Sequence, residues 1–212
     1  RGWMHTSRSQ NAVLIDETDQ AQWEAPGLRR VHGEILHWEA DADTVLVQGR
    51  HAGYLEDLGI LCTRTIFMQA GSYYLVHDLV DAARATEDHV ARWSIQAAAP
   101  MQEVEARACV AAGLMRIDAG WPDTIDSIDM SSEGKAVWPA ADEEGRGGTY
   151  RQLHQVRWCT NVRAEGNCRF LMLIQPDPSP FRLGLVNTRA DQLAVEVKSP
   201  AGADTLQLPI TP

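Results

Sequence analysis

At 212 residues, the chain is long enough to bury a large core without disulfide or metal staples, and its net charge of −10 argues against nucleic acid as a partner. Hydrophobic residues at 44% and charged residues at 23% are the balance of a globular domain, and no apolar run approaches the roughly 18 residues of a membrane span. The same acidity suits an acidic polymer poorly at long range, so an anionic ligand would need a locally basic cleft. The chain opens on Arg1 with no apolar leader, which points to an excised or processed piece of a longer protein.

Short β-branched and aromatic runs punctuated by Gly, Pro and Asp dominate the sequence. They predict strands over residues 12–16, 33–39, 44–51, 59–68, 73–80 and 89–97. A second series follows over 106–117, 150–162, 168–175, 192–197 and 205–208. Residues 97–114 form the one stretch that also reads as helix. Residues 139–148 (PAADEEGRGG) are acidic and glycine-rich, a surface loop. Residues 176–180 (PDPSP) are a stiff turn that divides a main β-sandwich, 1–175, from a C-terminal β extension, 176–212, packed on the same body. The fold class is therefore all-β, with stacked antiparallel sheets forming a large sandwich.

Alternation assigns side chains to faces. In 59–68 one face carries Ile60, Cys62, Arg64 and Ile66, and the other Leu61, Thr63, Thr65 and Phe67. Both faces of 73–80 are largely apolar, as an interior strand requires, while His77 and Asp78 point to opposite sides and cannot form a simple dyad. The cysteines, Cys62, Cys109, Cys159 and Cys168, include no CxxC pair. Cys159 and Cys168 flank an expected hairpin turning at Glu165-Gly166, whose register holds their sulfurs too far apart to bond. Free, buried thiols are expected.

Three stretches together resemble the C-terminal domain of the heparinase II/III-type polysaccharide lyases. The first is 7–16 (SRSQNAVLID). The second is His51-Ala52-Gly53-Tyr54 followed by Leu58-Gly59-Ile60-Leu61-Cys62-Thr63-Arg64-Thr65. The third is Tyr73-Tyr74-Leu75-Val76-His77-Asp78 with His89 and Trp93. A weaker match is the apolar run from Arg169 that ends at Pro176. The resemblance covers about residues 5–97 by motif and the rest by strand pattern. It implies a supersandwich-like β domain that follows an α/α toroid absent from this chain. It also implies an enzyme that cleaves uronate-containing polysaccharide by β-elimination, a periplasmic or secreted address, and an acidic polysaccharide or oligosaccharide as substrate. The toroid carries most of the catalytic groups in this family, so the fragment alone is expected to be inactive or nearly so.

On the same resemblance Tyr54 is the candidate catalytic phenol, and His51 and Arg64 the candidate substrate-binding residues. For each there is a plainer reading: a loop tyrosine anchored by its ring, a solvated histidine at a strand end, and a buried ion pair. The family's structural metal site is altered here, because Gln10 and Cys62 stand where histidines belong. His32 or Glu34 could add a ligand, but the simplest expectation is no metal and no cofactor. His89, on an apolar face with Trp93 and Ile95, reads as a hydrogen-bonded core histidine. The tryptophans read first as core rather than as sugar platforms. No phosphate loop, nucleophile elbow or HExxH is present. The alternative function is a non-catalytic carbohydrate-binding or structural β-sandwich module.

Overall fold

The computed structural model describes residues 11–18, 20, 33–97, 99–105, 107–111, 113–120, 126–131, 135–138, 149–152, 154–178, 180–189 and 192–210. In chain order, β1 (Val13–Ile15) is followed by β2 (Gly33–Ala40), β3 (Thr44–Tyr54), a one-turn helix α1 (Leu55–Leu58), β4 (Ile60–Gln69), β5 (Tyr73–Asp81) and β6 (His89–Ala97). Then come β7 (Met101–Glu105), β8 (Ala108–Ala111), β9 (Met115–Ala119), β10 (Ser127–Ser131), β11 (Lys135–Trp138) and β12 (Thr149–Gln152). The last five are β13 (His154–Val162), β14 (Asn167–Pro176), β15 (Arg182–Arg189), β16 (Gln192–Ser199) and β17 (Gly202–Pro209).

These strands build three stacked layers. The middle layer is an eight-stranded antiparallel sheet in the order β2-β3-β4-β5-β14-β9-β8-β7. On one face lies a four-stranded sheet, β1-β6-β13-β10, and on the other a three-stranded sheet, β15-β16-β17. Among the described residues, strands β11 and β12 pair only with each other. The stacking follows from alternation. In β14, Cys168, Phe170 and Met172 enter the core beneath the four-stranded sheet, joined by Val76, Val80, Trp93 and Trp158. The intervening Leu171 and Leu173 enter a second core with Tyr73, Leu75, Leu193, Val195, Val197 and Leu208. Strands β5 and β14 are thus buried on both faces, which is why they read as near-continuous apolar runs. At 25 cal/mol per Å2 of apolar surface, each fully buried Leu or Phe stabilises the fold by about 2 kcal/mol.

Several sequence boundaries shift. The expected strand 106–117 is two strands, β8 and β9, joined by a turn at Gly113 in the left-handed region (φ 70°). Residues 150–162 are likewise split between β12 and β13, in different sheets. Where it is described, the 97–114 stretch is strand and turn, with no helix. Gly59 is not the first residue of a strand. It caps α1 at φ 70°, and a Cβ there would lie 2.3 Å from the Arg84 carbonyl oxygen.

The expected Cys159–Cys168 hairpin is also corrected. A tight turn does close at Arg163–Gly166, but β13 pairs with β6 and β14 with β5, so the turn passes the chain between two layers. All four cysteines are free and buried, as expected. Residues 7–10, His32 and the loop 139–148 lie outside the described residues.

Candidate functional site

The residues singled out by sequence converge at one end of the face between the eight-stranded and four-stranded sheets. His51 pairs with Cys62 across β3 and β4, while Tyr54 pairs with Ile60, so three residues of β3 oppose two of β4. This bulge restores Tyr54 to the face that holds His51, where strict alternation would have separated them. Their ring centroids lie 6.2 Å apart. Gly53 permits the bulge, since a Cβ there would sit 2.9 Å from the Gln20 carbonyl oxygen.

Tyr54 is not in a loop. It ends β3 and precedes the one-turn helix, and it is only 1% exposed. Its hydroxyl donates to the Thr18 carbonyl at 3.1 Å, with the Val13 carbonyl at 3.5 Å, fastening the β1 segment to β3. That is the geometry of an anchoring tyrosine, with the phenol spent on backbone.

Arg64 and Asp78 are cross-strand partners on β4 and β5. Arg64 Nε donates to Asp78 Oδ1 at 2.7 Å and Nη2 to Oδ2 at 2.8 Å, a bidentate pair. Trp93 Nε1 on the facing sheet donates to the same Oδ2 at 2.8 Å, and Arg64 Nη1 donates to the Asn11 carbonyl at 2.8 Å. The pair therefore links both layers. Burial works against the Arg64 charge, but Asp78 and its hydrogen bonds outweigh it and raise the pKa above the ordinary value. The Arg64 side chain keeps 30% exposure, against 6% for Asp78.

His51 is partly exposed and accepts a hydrogen bond at Nδ1 from Gly53 N at 3.3 Å. The neutral ring then carries its proton on Nε2. Burial lowers its pKa, with Arg64 adding to the effect and Asp78 opposing it. Beneath it the Cys62 thiol is raised by burial, with Asp78 and Cys168 adding and Arg64 opposing, so Cys62 stays protonated. The arrangement offers a neutral N–H donor and a fixed guanidinium, groups suited to binding an anion. It offers no activated nucleophile.

His89 is the core histidine that its strand face implies, with Nδ1 2.6 Å from Asp16 Oδ2. His77 and Asp78 do face opposite layers. Asp78 meets Trp93, while His77 shares a face with Leu171 and Leu75 of the second core. Among the described residues, no group of three or more His, Cys, Asp or Glu side chains is placed to hold a metal ion.

Sequence reasoning missed a hollow of about 520 Å3 on the opposite face of the sheet, lined by Gly33, Glu34, Arg50, Ala52, Leu55, Leu61 and Arg84. Arg50 pairs with Thr63 and His51 with Cys62, so the hollow and the His51 site are back to back. Arg50 forms an ion pair with Glu34 across β2 and β3. The available signal was the alternation of Arg50 with His51, which separates them by face.

The family model "Heparinase II/III-like, C-terminal" matches residues 1–159. Among solved structures, heparan sulfate lyase HepC from Pedobacter heparinus aligns over 99% of this chain and 31% of its own, with TM-score 0.71 and 10% identity. A heparinase III gene product aligns over the same shares at TM-score 0.69 and 13% identity. A further heparinase III aligns over 98% of this chain and 30% of its own at TM-score 0.62 and 14% identity. At such identities the likeness is one of fold, and this chain spans less than a third of the length of those proteins. A comparison with curated protein sequences gave no match.

Proposed function

The chain belongs to the heparinase II/III-like C-terminal family, and on that premise we propose that it is the β portion of a polysaccharide lyase acting on uronate-containing glycans. The observation that carries this reading is the family match over residues 1–159, three quarters of the chain. The substrate is an acidic polysaccharide or oligosaccharide. The partner in catalysis is an N-terminal α/α toroid of the same polypeptide, without which the β portion is inactive or nearly so. Polymers of this size are met outside the cytoplasm, so the address is periplasmic or secreted. No role for nucleic acid or a membrane enters this reading.

The chemistry is β-elimination. A base removes the proton beside the uronate carboxylate, the carbon–oxygen bond to the leaving sugar breaks, and the electron pair departs with that oxygen, which then takes up a proton. A double bond remains in the uronate ring. Negative charge accumulates on the carboxylate as the proton leaves, and donors already fixed in place stabilise it.

His51 and Arg64 are the residues proposed to meet substrate. His51 offers Nε2–H, and Arg64 is held rigid by Asp78 and Asn11 while keeping part of its surface. Tyr54, which the family resemblance offers as a catalytic phenol, enters instead as a positioning residue that fixes the bulge carrying His51. Tyr54→Phe in the full-length parent separates the two roles. A catalytic phenol would lose most of kcat with Tm unchanged, whereas a positioning residue lowers Tm and leaves most of kcat.

The test is the growth of ultraviolet absorbance from unsaturated uronate ends. The parent and the isolated 212-residue chain are each incubated with alginate, heparan sulfate and chondroitin. Absorbance should grow with the parent on at least one polymer and stay flat with the isolated chain. A folded parent inert on all three would move the reading to a non-catalytic carbohydrate-binding module.

A further inference from the structure

We propose that the hollow behind the His51 site, lined by Arg50 and Arg84, is a second glycan-binding site that takes one carboxylate-bearing sugar unit. The choice of a uronate as ligand rests on the reading of the chain as part of a lyase. The site itself is argued from its own geometry. Its volume of about 520 Å3 falls within the usual range of small-ligand sites.

The two arginines are positioned by different means. Alternation with His51 turns Arg50 to the far face of β3, across from Glu34 on β2. Its Nε donates to Glu34 Oε1 at 2.8 Å and its Nη2 pairs with the same oxygen, so the guanidinium is oriented before any ligand arrives. Arg84 belongs to the turn between β5 and β6. Ala85 N donates to the Ala82 carbonyl at 3.0 Å and Ala83 N to Asp81 Oδ1 at 3.0 Å, which holds that turn in shape. The Arg84 carbonyl also packs on Gly59, where there is no room for a Cβ. The backbone is thus fixed while the Arg84 side chain is exposed. Ala52, Leu55 and Leu61, all half-buried, add an apolar wall.

Two arginines against one glutamate give this lining a net positive charge, in a chain whose net charge is −10. A local field of that sign selects an anion, and a guanidinium fork suits a carboxylate. The neighbouring surface favours a sugar acid over a bare anion. A smaller hollow of about 250 Å3 shares Leu55 and Arg84 and is lined by Glu56, Asp57 and Glu87. Carboxylates there accept hydrogen bonds from hydroxyl groups and repel a second anion. The paired hollows are therefore basic at one end and acidic at the other, with Leu55 between. That suits a ring with its carboxylate on one side and hydroxyl donors on the other. Arg50 and His51 face opposite sides of the sheet, so this site is separate from the one that holds His51 and Arg64.

The test titrates free glucuronate into the full-length parent at low salt and reads binding by calorimetry, with acetate as the bare carboxylate. Glucuronate has no glycosidic bond, so no elimination can accompany its binding. Arg84→Gln weakens glucuronate binding about tenfold, the loss of one charge-assisted contact. Glu34→Gln strengthens it about threefold, because Arg50 no longer shares its charge with a carboxylate. A loss and a gain together cannot come from misfolding. His51→Ala leaves the affinity unchanged. Undetectable binding, equal affinity in wild type, Arg84→Gln and Glu34→Gln, or loss of binding in His51→Ala overturns the proposal. Acetate bound as tightly as glucuronate leaves only an anion site and also overturns it. A parent that forms no unsaturated ends yet shows both shifts keeps the site and discards only the lyase activity. A parent active on polymer with neither shift keeps the activity and discards the site.

Discussion

The two faces of the eight-stranded sheet solve the same packing problem by different chemistry. Toward the three-stranded sheet the contact is Leu75, Leu171 and Leu173 against Leu193, Val195, Val197 and Leu208. Its polar groups keep their charge within the middle sheet: Gln48 Nε2 donates to Thr65 Oγ1 at 3.0 Å and to the Pro209 carbonyl at 2.9 Å, while the buried Asp118 accepts from Arg116 of its own strand and from Gln175 of β14. Toward the four-stranded sheet the buried charge, Asp78, is instead shared between layers, by Arg64 of β4 and by Trp93 of β6. Apolar contact holds layers together but sets their register weakly. A carboxylate with three directional donors fixes one arrangement of the two sheets and makes every alternative leave a buried charge unpaired.

This contrast makes the face toward the four-stranded sheet the more fragile to single substitution. Asp78→Ala strands the Arg64 guanidinium and orphans Trp93 Nε1, at a cost of about 4 kcal/mol and a fall in Tm of roughly 12 °C by thermal unfolding. The double variant Arg64→Met/Asp78→Leu should recover much of that loss, because no unpaired charge remains. A double variant no more stable than Asp78→Ala would break the comparison. On the other face, Leu193→Ala leaves a cavity in the second core and costs about 3 kcal/mol by denaturant unfolding, with the slope m unchanged.

The face toward the three-stranded sheet has a weakness of its own, which pH exposes. Burial pushes the His77 imidazole down to about 4, with Arg169 adding and Asp78 opposing, and its Nε2 has no partner among the described residues. In the unfolded chain a histidine titrates near about 6.5. As pH falls below that value the unfolded chain takes up a proton that the folded chain refuses. Stability is therefore intact above about 6.5, drains away toward about 4, and loses no more from this residue below it. At pH 5 the loss is about 2 kcal/mol. His77→Leu should remove that part of the acid sensitivity, seen as a smaller drop in Tm between pH 7.5 and pH 5 than in wild type. Equal drops would show that His77 is not the source. Smallest is Tyr54→Phe, which loses a hydrogen bond to backbone and about 1 kcal/mol of stability.

The sequence carries the layered β architecture in its alternation. The two-faced apolar character of 73–80 identifies an interior strand, and the opposed faces of His77 and Asp78 hold in three dimensions. The ion-pair reading of Arg64 and the core reading of His89 follow from the same counting. Alternation fails at bulges, because one extra residue reverses every later side chain. Tyr54 is the instance that matters: counting from His51 puts it on the far face, and the bulge returns it to the core. Sheet membership is illegible for a related reason. The Arg163–Gly166 turn has the composition of a hairpin, and only the pairing of β13 with β6 and β14 with β5 shows that it crosses between layers. The exposure of Ile35 and Trp38 on β2 is illegible for a third reason, since it depends on the width of the neighbouring sheet.

The central claim is that this chain serves a polysaccharide lyase, and the mass of the products tests it most directly. The full-length parent is incubated with its preferred uronate polymer and the oligosaccharides are weighed by mass spectrometry. β-Elimination gives pieces whose new non-reducing ends are one water lighter than hydrolysis would leave, and that is the predicted result. Oligosaccharides carrying the full added water, or polymer left intact by a folded parent, would contradict the account.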